Sequence, residues 1–306
     1  MNIAVTSPSF SRHPILQKKV LELSPKTKLN TTGIRLKNND LFEYIKNYEA
    51  LIVGLETFDK TLLSRLPKLK VIAKYGVGLD NIDLEYCKKN NIHVAWKGGV
   101  NRLSVAELTL GFFLSLTHNL YQTSNLLKDG KWIKSGGFLL SQKTIGIIGI
   151  GHVAKELVKL LKPFGCKILV NDIINQDGYY QSQNLIKSSK KDIFKQSDIV
   201  SLHTPLTKQT FHLINKDTFK LMKENSFIIN TARGDLINLK DLETALFNKL
   251  ILGAAIDVYD QEPPICDKLL SHPNLINTPH IAGNAKEAIL AMGTQAIIGL
   301  KEYYNV

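Results

Sequence analysis

The stretch TIGIIGIGHVA, residues 144–154, decides how this chain folds. A β-branched apolar run, TIGII, meets Gly149-Ile150-Gly151 without a spacer, and His152-Val153-Ala154 then opens a helical pattern. In this strand–turn–helix order, two glycines let a backbone approach a pyrophosphate at a helix N-terminus. Ala154 takes the third position, where a small residue lets helix and strand pack closely. The next apolar run, KILVND, ends in Asp172, 23 residues after Gly149. An acid at about that spacing accepts hydrogen bonds from the ribose hydroxyls of an adenosine and repels a 2′-phosphate. Residues 173–175, Ile-Ile-Asn, supply no arginine to neutralise such a phosphate. NAD is therefore expected rather than NADP.

Outward from this turn, strand-like and helix-like patterns alternate along the whole chain, which predicts α/β layers with mostly parallel strands. Before the turn, strands are expected at 2–6, 27–31, 51–54, 69–74 and 93–96. Helices are expected at 14–22, 40–47, 60–66 and 84–89. Gly98-Gly99 breaks the pattern, and one long helix over 104–128 is expected to bridge into a second domain. Strands there are expected at 144–148, 167–171, 199–203, 227–231, 253–258 and 275–277, with a last helix over 286–304.

Composition bounds the reading. The 306 residues suffice for two domains, and 44% apolar content supports a sizeable core. The net charge of +12 comes from scattered lysines with no aromatic interleaving, so a solvated basic surface is expected and nucleic-acid binding is not. Cys87, Cys166 and Cys266 are too few and too far apart for a disulfide framework or a metal cluster. The N-terminus, MNIAVTSPSF, lacks a basic segment and an apolar core, and no apolar run is long enough to span a membrane. A cytoplasmic protein is the expectation.

Three apolar strands end in reactive polar groups. SFIINTARGD reaches Arg233, GAAIDVYDQEPP passes Asp257 and reaches Glu262, and LINTPHIAG reaches His280. Ligands of open parallel sheets bind beyond the C-terminal strand ends, so these residues can converge on a nicotinamide. Hydride transfer to or from a secondary alcohol fits the set. The fork of Arg233 can hold a carboxylate and polarise the adjacent keto oxygen. His280 can exchange the hydroxyl proton. Glu262, bonded to the imidazole, would orient it and raise its pKa. Singly, each also has a plain reading as a turn arginine, a solvated loop acid and a loop histidine.

At these residues the chain resembles the NAD-dependent D-2-hydroxyacid dehydrogenases, of the phosphoglycerate dehydrogenase-like branch. The likeness runs nearly end to end, through KYGVGLDNID (74–83), SVAELTLG (104–111), KDGKW (128–132), the glycine turn, HTPLT (203–207), NTARGD (230–235), DVYDQEP (257–263) and TPHIAG (278–283). The resemblance implies two Rossmann-like, doubly wound parallel-sheet domains with an interdomain active-site cleft, usually in a homodimer. It implies a substrate domain over 1–98 plus 285–306 and a NAD domain over 99–284. Arg233, Glu262 and His280 would be the catalytic trio. Gly149, Gly151, His152 and Val153 would meet the pyrophosphate, with Asp172 on the ribose. His203, Thr204 and Pro205 would line the adenosine side. Thr231, Ala232, Asp257, His280 and Gly283 would surround the nicotinamide. Val77 and Gly78 would bind the substrate carboxylate through backbone N–H groups, with Lys74, Asn101 and Arg233 beside the substrate.

Two departures stand out. The family usually carries arginine after the second glycine, where this chain has His152, which implies weaker charge toward the pyrophosphate and a cofactor affinity that varies with pH. Phosphoglycerate enzymes place an arginine near the third strand, where VGLETFD (53–59) offers Gly54. Lys74 and Lys134 are the basic residues left near a phosphate, so 3-phosphoglycerate stays open beside glyoxylate, hydroxypyruvate and small branched 2-keto acids. Phosphite or formate dehydrogenase, and an NAD-sensing corepressor, are the readings from further away.

Overall fold

The computed structural model describes residues 1–265 and 267–306, so the cysteine at position 266 lies outside the described residues. The chain divides into two compact units, Met1–Asn101 with Asn284–Val306, and Arg102–Gly283.

The smaller unit is built on five strands: β1 (Ile3–Val5), β2 (Lys28–Leu29), β3 (Ala50–Val53), β4 (Val71–Lys74) and β5 (His93–Ala95). They form one parallel sheet in the order β2-β1-β3-β4-β5. Alternate side chains point to opposite faces of a strand. Ile3 and Val5 therefore join one core, with Phe10, Leu16 and, from the C-terminal helix Lys286–Tyr304, Ile297 and Leu300. Ala4, Leu51 and Ile72 face the other way, onto Leu41, Leu63 and Leu66. Both faces are covered, which is why these strands read as continuous apolar runs.

The larger unit holds β6 (Thr144–Ile148), β7 (Lys167–Asn171), β8 (Ile186–Lys187), β9 (Ile199–Leu202), β10 (Phe227–Asn230), β11 (Gly253–Ile256) and β12 (Leu275–Asn277). The order β12-β11-β10-β9-β6-β7-β8 is parallel throughout. Succession reverses between β6 and β9, so the glycine turn that follows β6 sits at the topological switch point, where such sheets bind ligands.

One expected element is corrected. The single helix over 104–128 is two helices, Arg102–Thr117 and Leu120–Lys128. Asn119 between them adopts φ 54°, a left-handed conformation that asparagine tolerates. The Thr117 carbonyl accepts from Phe138 N at 2.6 Å, so a chain segment from outside the helix takes the place of the next turn. The short helix Pro8–Arg12, capped by Ser7, and β8 are elements the sequence pattern missed. Among the described residues, no helix is long and apolar enough to cross a membrane.

Candidate active site

Gly149 has φ +90°, and a Cβ there would lie 2.7 Å from the His203 carbonyl and from Thr204 N. Its own N–H donates to Asn171 O at 2.8 Å. The turn is thus clasped between the ends of β7 and β9, and only glycine fits. The position of a Gly151 Cβ has no atom within 4 Å. The helix His152–Leu161 starts there with no capping side chain and no acid in its first turn. Ala154 is fully buried on the strand side. These features fit a pyrophosphate: a close backbone, an open face and a helix N-terminus with no acid in its first turn.

Asp172, at the end of β7, turns both oxygens onto this loop. Oδ2 accepts from Ile150 N at 2.5 Å and Oδ1 from Ile174 N at 2.8 Å. The carboxylate is held against the turn by two backbone donors. At the end of β9, His203 shares a hydrogen bond with Ser201 Oγ at 2.9 Å. Burial pushes this imidazole down to about 4, so it is neutral at physiological pH. Thr204 is half-buried and Pro205 is exposed beside it.

Beyond β10, β11 and β12 lies the second cluster. The buried Asn230 side chain accepts from Ala232 N at 3.0 Å and donates to Arg233 O at 2.7 Å, which shapes the turn that presents Arg233. Arg233 Nη1 donates to Ala232 O at 2.6 Å. A Cβ on the next residue, Gly234, would lie 1.9 Å from the Tyr259 carbonyl carbon, so the loops after β10 and β11 touch through a bare backbone. Thr231 shares a hydrogen bond with Thr109 Oγ1 at 3.0 Å. Asp257 is fully buried. Its oxygens accept from Thr278 Oγ1 at 2.5 Å and from Ile281 N and Ala282 N, both at 2.8 Å. That carboxylate therefore staples the 278–282 loop, which Gly283 follows.

His280 rides on this loop with φ +55°. Its Nδ1 bonds the Glu262 carboxylate at 2.9 and 2.8 Å. The hydrogen bond to Glu262 raises the His280 pKa, burial opposes it, and the charges of Glu262 and Asp257 add to the rise. Burial raises the Glu262 carboxyl, but the hydrogen bond and charge of His280 outweigh it, so its pKa lies below the usual value. The result is a carboxylate–imidazole pair with the ring orientation set from Nδ1. Tyr259 supports it twice, through its N–H to Glu262 Oε1 at 3.3 Å and its hydroxyl to Thr278 O at 3.1 Å. Asn230 and Tyr259 were not singled out from sequence. An amide at a strand end before Ala-Arg-Gly is the signal of a side-chain-stabilised turn; Tyr259 had no comparable signal.

In the smaller unit, Gly76-Val77-Gly78 follows β4. The Val77 carbonyl accepts from Trp96 Nε1 at 2.9 Å. Lys74 is buried, and its ammonium donates to Gly54 O and to Asn81 Oδ1, the latter at 2.7 Å. It holds the loops after β3 and β4 together from inside. Asn101 is buried at the end of this unit's first segment.

A family model described as the D-isomer specific 2-hydroxyacid dehydrogenase NAD-binding domain matches residues 110–282. The chain belongs to this family. A D-3-phosphoglycerate dehydrogenase of Methanocaldococcus jannaschii is 37% identical over 85% of the chain, which spans 50% of that relative's length. A hydroxypyruvate reductase of Thermotoga maritima is 33% identical over 93% of the chain and 94% of its own length. The solved D-lactate dehydrogenase from Aquifex aeolicus, complexed with NAD and lactic acid, has a TM-score of 0.88 at 27% identity and covers 100% of the chain and 96% of its own. The chain is an NAD-dependent D-2-hydroxyacid dehydrogenase with two Rossmann-like domains. As in any member of the family, the bound cofactor supplies the hydride chemistry, and the protein's part is to bind, orient and move a proton.

Proposed function

We propose that this dehydrogenase interconverts a small unphosphorylated 2-keto acid and its D-2-hydroxy acid, with Arg233, Glu262 and His280 as the catalytic trio. The observation that carries this reading is the Glu262–His280 pair, 2.8 Å apart on loops beyond β11 and β12. His280 gives a proton to the keto oxygen during reduction and takes it back during oxidation. Glu262 fixes the ring and keeps it protonated. Arg233 holds the substrate carboxylate and polarises the keto oxygen. In this reading Gly149, Gly151, His152 and Val153 cradle the pyrophosphate, and Asp172 holds the ribose. His203, Thr204 and Pro205 line the adenosine. Thr231, Ala232 and Gly283 frame the nicotinamide, which Asp257 serves by holding the 278–282 loop. The larger unit is the cofactor domain.

The Lys74 ammonium already donates to Gly54 O and Asn81 Oδ1, which supports an unphosphorylated substrate. The relative named hydroxypyruvate reductase, matched over nearly its whole length, agrees with this.

We also propose a homodimer. The helix Leu120–Lys128 buries no residue. Leu120, Leu127, Trp132, Ile133 and Leu139 are all exposed along one 20-residue stretch that an isolated chain leaves in water. Lys134 lies over the Trp132 ring at 6.0 Å.

An NADH-oxidation screen with glyoxylate, hydroxypyruvate, pyruvate, 3-phosphohydroxypyruvate and 2-ketoisocaproate tests the assignment. Arg233→Ala and His280→Ala are expected to lose about 100-fold or more in kcat. Full turnover in either variant overturns the roles. Light scattering of wild type and of Leu127→Asp tests the dimer, which the charge is expected to dissociate.

A further inference from the structure

The larger unit begins at Arg102 and ends at Gly283, and its two ends are tied together inside the unit. Ser104 Oγ, in the first turn of the helix Arg102–Thr117, donates to Ala282 O at 2.6 Å across 178 positions of sequence. The roles above leave this bond unused. Ser104 is half-buried and Ala282 is buried. The helix that carries Ser104 is itself firmly placed. Its Ala106, Phe112 and Phe113 share a core with Ile147 of β6 and with Ala154 and Leu157 of the helix His152–Leu161. Arg102 Nε pairs with Glu156 Oε2 of that second helix at 3.2 Å. Thr109 Oγ1 donates to Val105 O at 2.7 Å and so accepts from Thr231 Oγ1 at 3.0 Å, close to the Arg233 turn.

The loop that Ser104 grips has need of outside support. His280 sits at φ +55°, a left-handed conformation that a residue with a Cβ keeps only where its surroundings fix the flanking peptides. Before His280, Thr278 N donates to Ile256 O at 3.0 Å, and Thr278 O accepts from His280 N at 3.0 Å and from the Tyr259 hydroxyl at 3.1 Å. After His280, Ile281 N and Ala282 N both donate to the Asp257 carboxylate at 2.8 Å. Asp257 can hold only N–H groups. Ser104 supplies the complementary donor, so Ala282 is gripped on its N–H by the end of β11 and on its carbonyl by the helix. The Arg233 turn is shaped separately, by the Asn230 side chain.

We propose that Ser104 is a positioning residue for His280: through Ala282 O, its hydroxyl fixes the far end of the 278–282 loop and with it the place of the imidazole. The inference rests on the functional reading given above, in which His280 moves the proton. A proton donor works at about 2.6–3.2 Å from its acceptor, and a displacement of about 1 Å can cost about 100-fold in rate. Ser104 acts on the ring alone, through the loop. Its loss should therefore slow the chemical step and leave the binding of keto acid and NADH nearly as it was, because the Arg233 turn and the glycine turn keep their own fixings.

The test follows the first turnover of NADH by stopped-flow absorbance, with the most active acid of the screen at saturation, and KM in the steady state. In Ser104→Ala the first-turnover rate should fall about tenfold, with KM for the acid and for NADH within about twofold of wild type. Ser104→Thr keeps the hydroxyl and should recover to within about threefold of the native rate. Tyr259→Phe removes the hold at Thr278 O from the other side of His280 and should show the same split between rate and KM. An unmoved rate in Ser104→Ala overturns the inference. So does a Ser104→Thr variant as slow as Ser104→Ala, or a rise in KM for NADH that matches the fall in rate, which marks a general loosening of the unit. His280→Ala separates the two levels. If it is slow while Ser104→Ala is not, the inference alone fails; if it keeps the native rate, or if no acid turns over, the functional reading fails and the inference with it.

Discussion

Replacing Glu262 by glutamine keeps the reach and shape of the side chain and removes its charge. In the native pair, the Glu262 carboxylate accepts from His280 Nδ1 at 2.8 Å and holds the imidazole pKa above its ordinary 6.5. With the charge gone, burial acts less opposed and the pKa falls. An opposite charge in contact is worth about 1–3 units. The His280 and Glu262 side chains are 41% and 34% exposed, so solvent screens the pair and the fall is smaller than for a buried pair. The sign follows from the proton. Reduction needs imidazolium, so its rate is flat at low pH and declines as pH rises through the His280 pKa. In Glu262→Gln that decline should begin at lower pH, so the variant loses most kcat/KM above the native His280 pKa and least well below it. Oxidation needs the neutral ring, so its acid limb should move down by the same amount, and the variant loses least there at low pH. Both profiles are read from NADH absorbance on the best substrate of the screen. A loss of activity with both limbs unmoved would refute the charge argument and leave Glu262 a purely steric role.

Three further outcomes follow from the cofactor turn. Gly149→Ala puts a Cβ 2.7 Å from the His203 carbonyl at φ +90°, which should cost about 2–3 kcal/mol. Calorimetry should show the melting temperature about 5–10 °C lower, and an unchanged melting curve would mean that β9 yields to the methyl group. Asp172→Ala should weaken NAD by about tenfold or more while changing NADP little, measured by fluorescence titration; equal losses would place Asp172 in the turn's scaffolding alone. His152→Arg adds a fixed charge beside the pyrophosphate and should tighten NAD about threefold in low salt, with the gain screened away near 1 M salt. A gain that survives high salt would point to a direct contact instead.

Much of the architecture was legible because burial on both faces leaves a plain mark. Strands such as β6, β9 and β10 are mostly apolar and buried, and β6 ends where Gly149 begins. The turn at Gly149 was legible for a related reason: its backbone must pass within contact of β9, and glycine alone allows it. The break at Asn119 was not legible, because what ends the helix is Phe138 N on the Thr117 carbonyl, a bond made from 21 residues away. The partners of Lys74 were not legible either, because its ammonium donates to Gly54 O and Asn81 Oδ1, which the loops after β3 and β4 bring to it.

By itself the sequence determined which strand ends carry glycine or reactive polar groups: a glycine turn, an acid 23 residues later, and Arg233, Glu262 and His280 after apolar runs. These are local properties, set by pattern and spacing along one segment. Tertiary structure alone decided which side chains hold those residues in place. Asp257 can staple the His280 loop because β11 and β12 are neighbours in the sheet. Tyr259 can reach both Glu262 and Thr278 because sheet order brings distant segments to a common edge. Hydrogen bonds act over about 3 Å, so their partners are fixed by strand adjacency, which no single segment encodes.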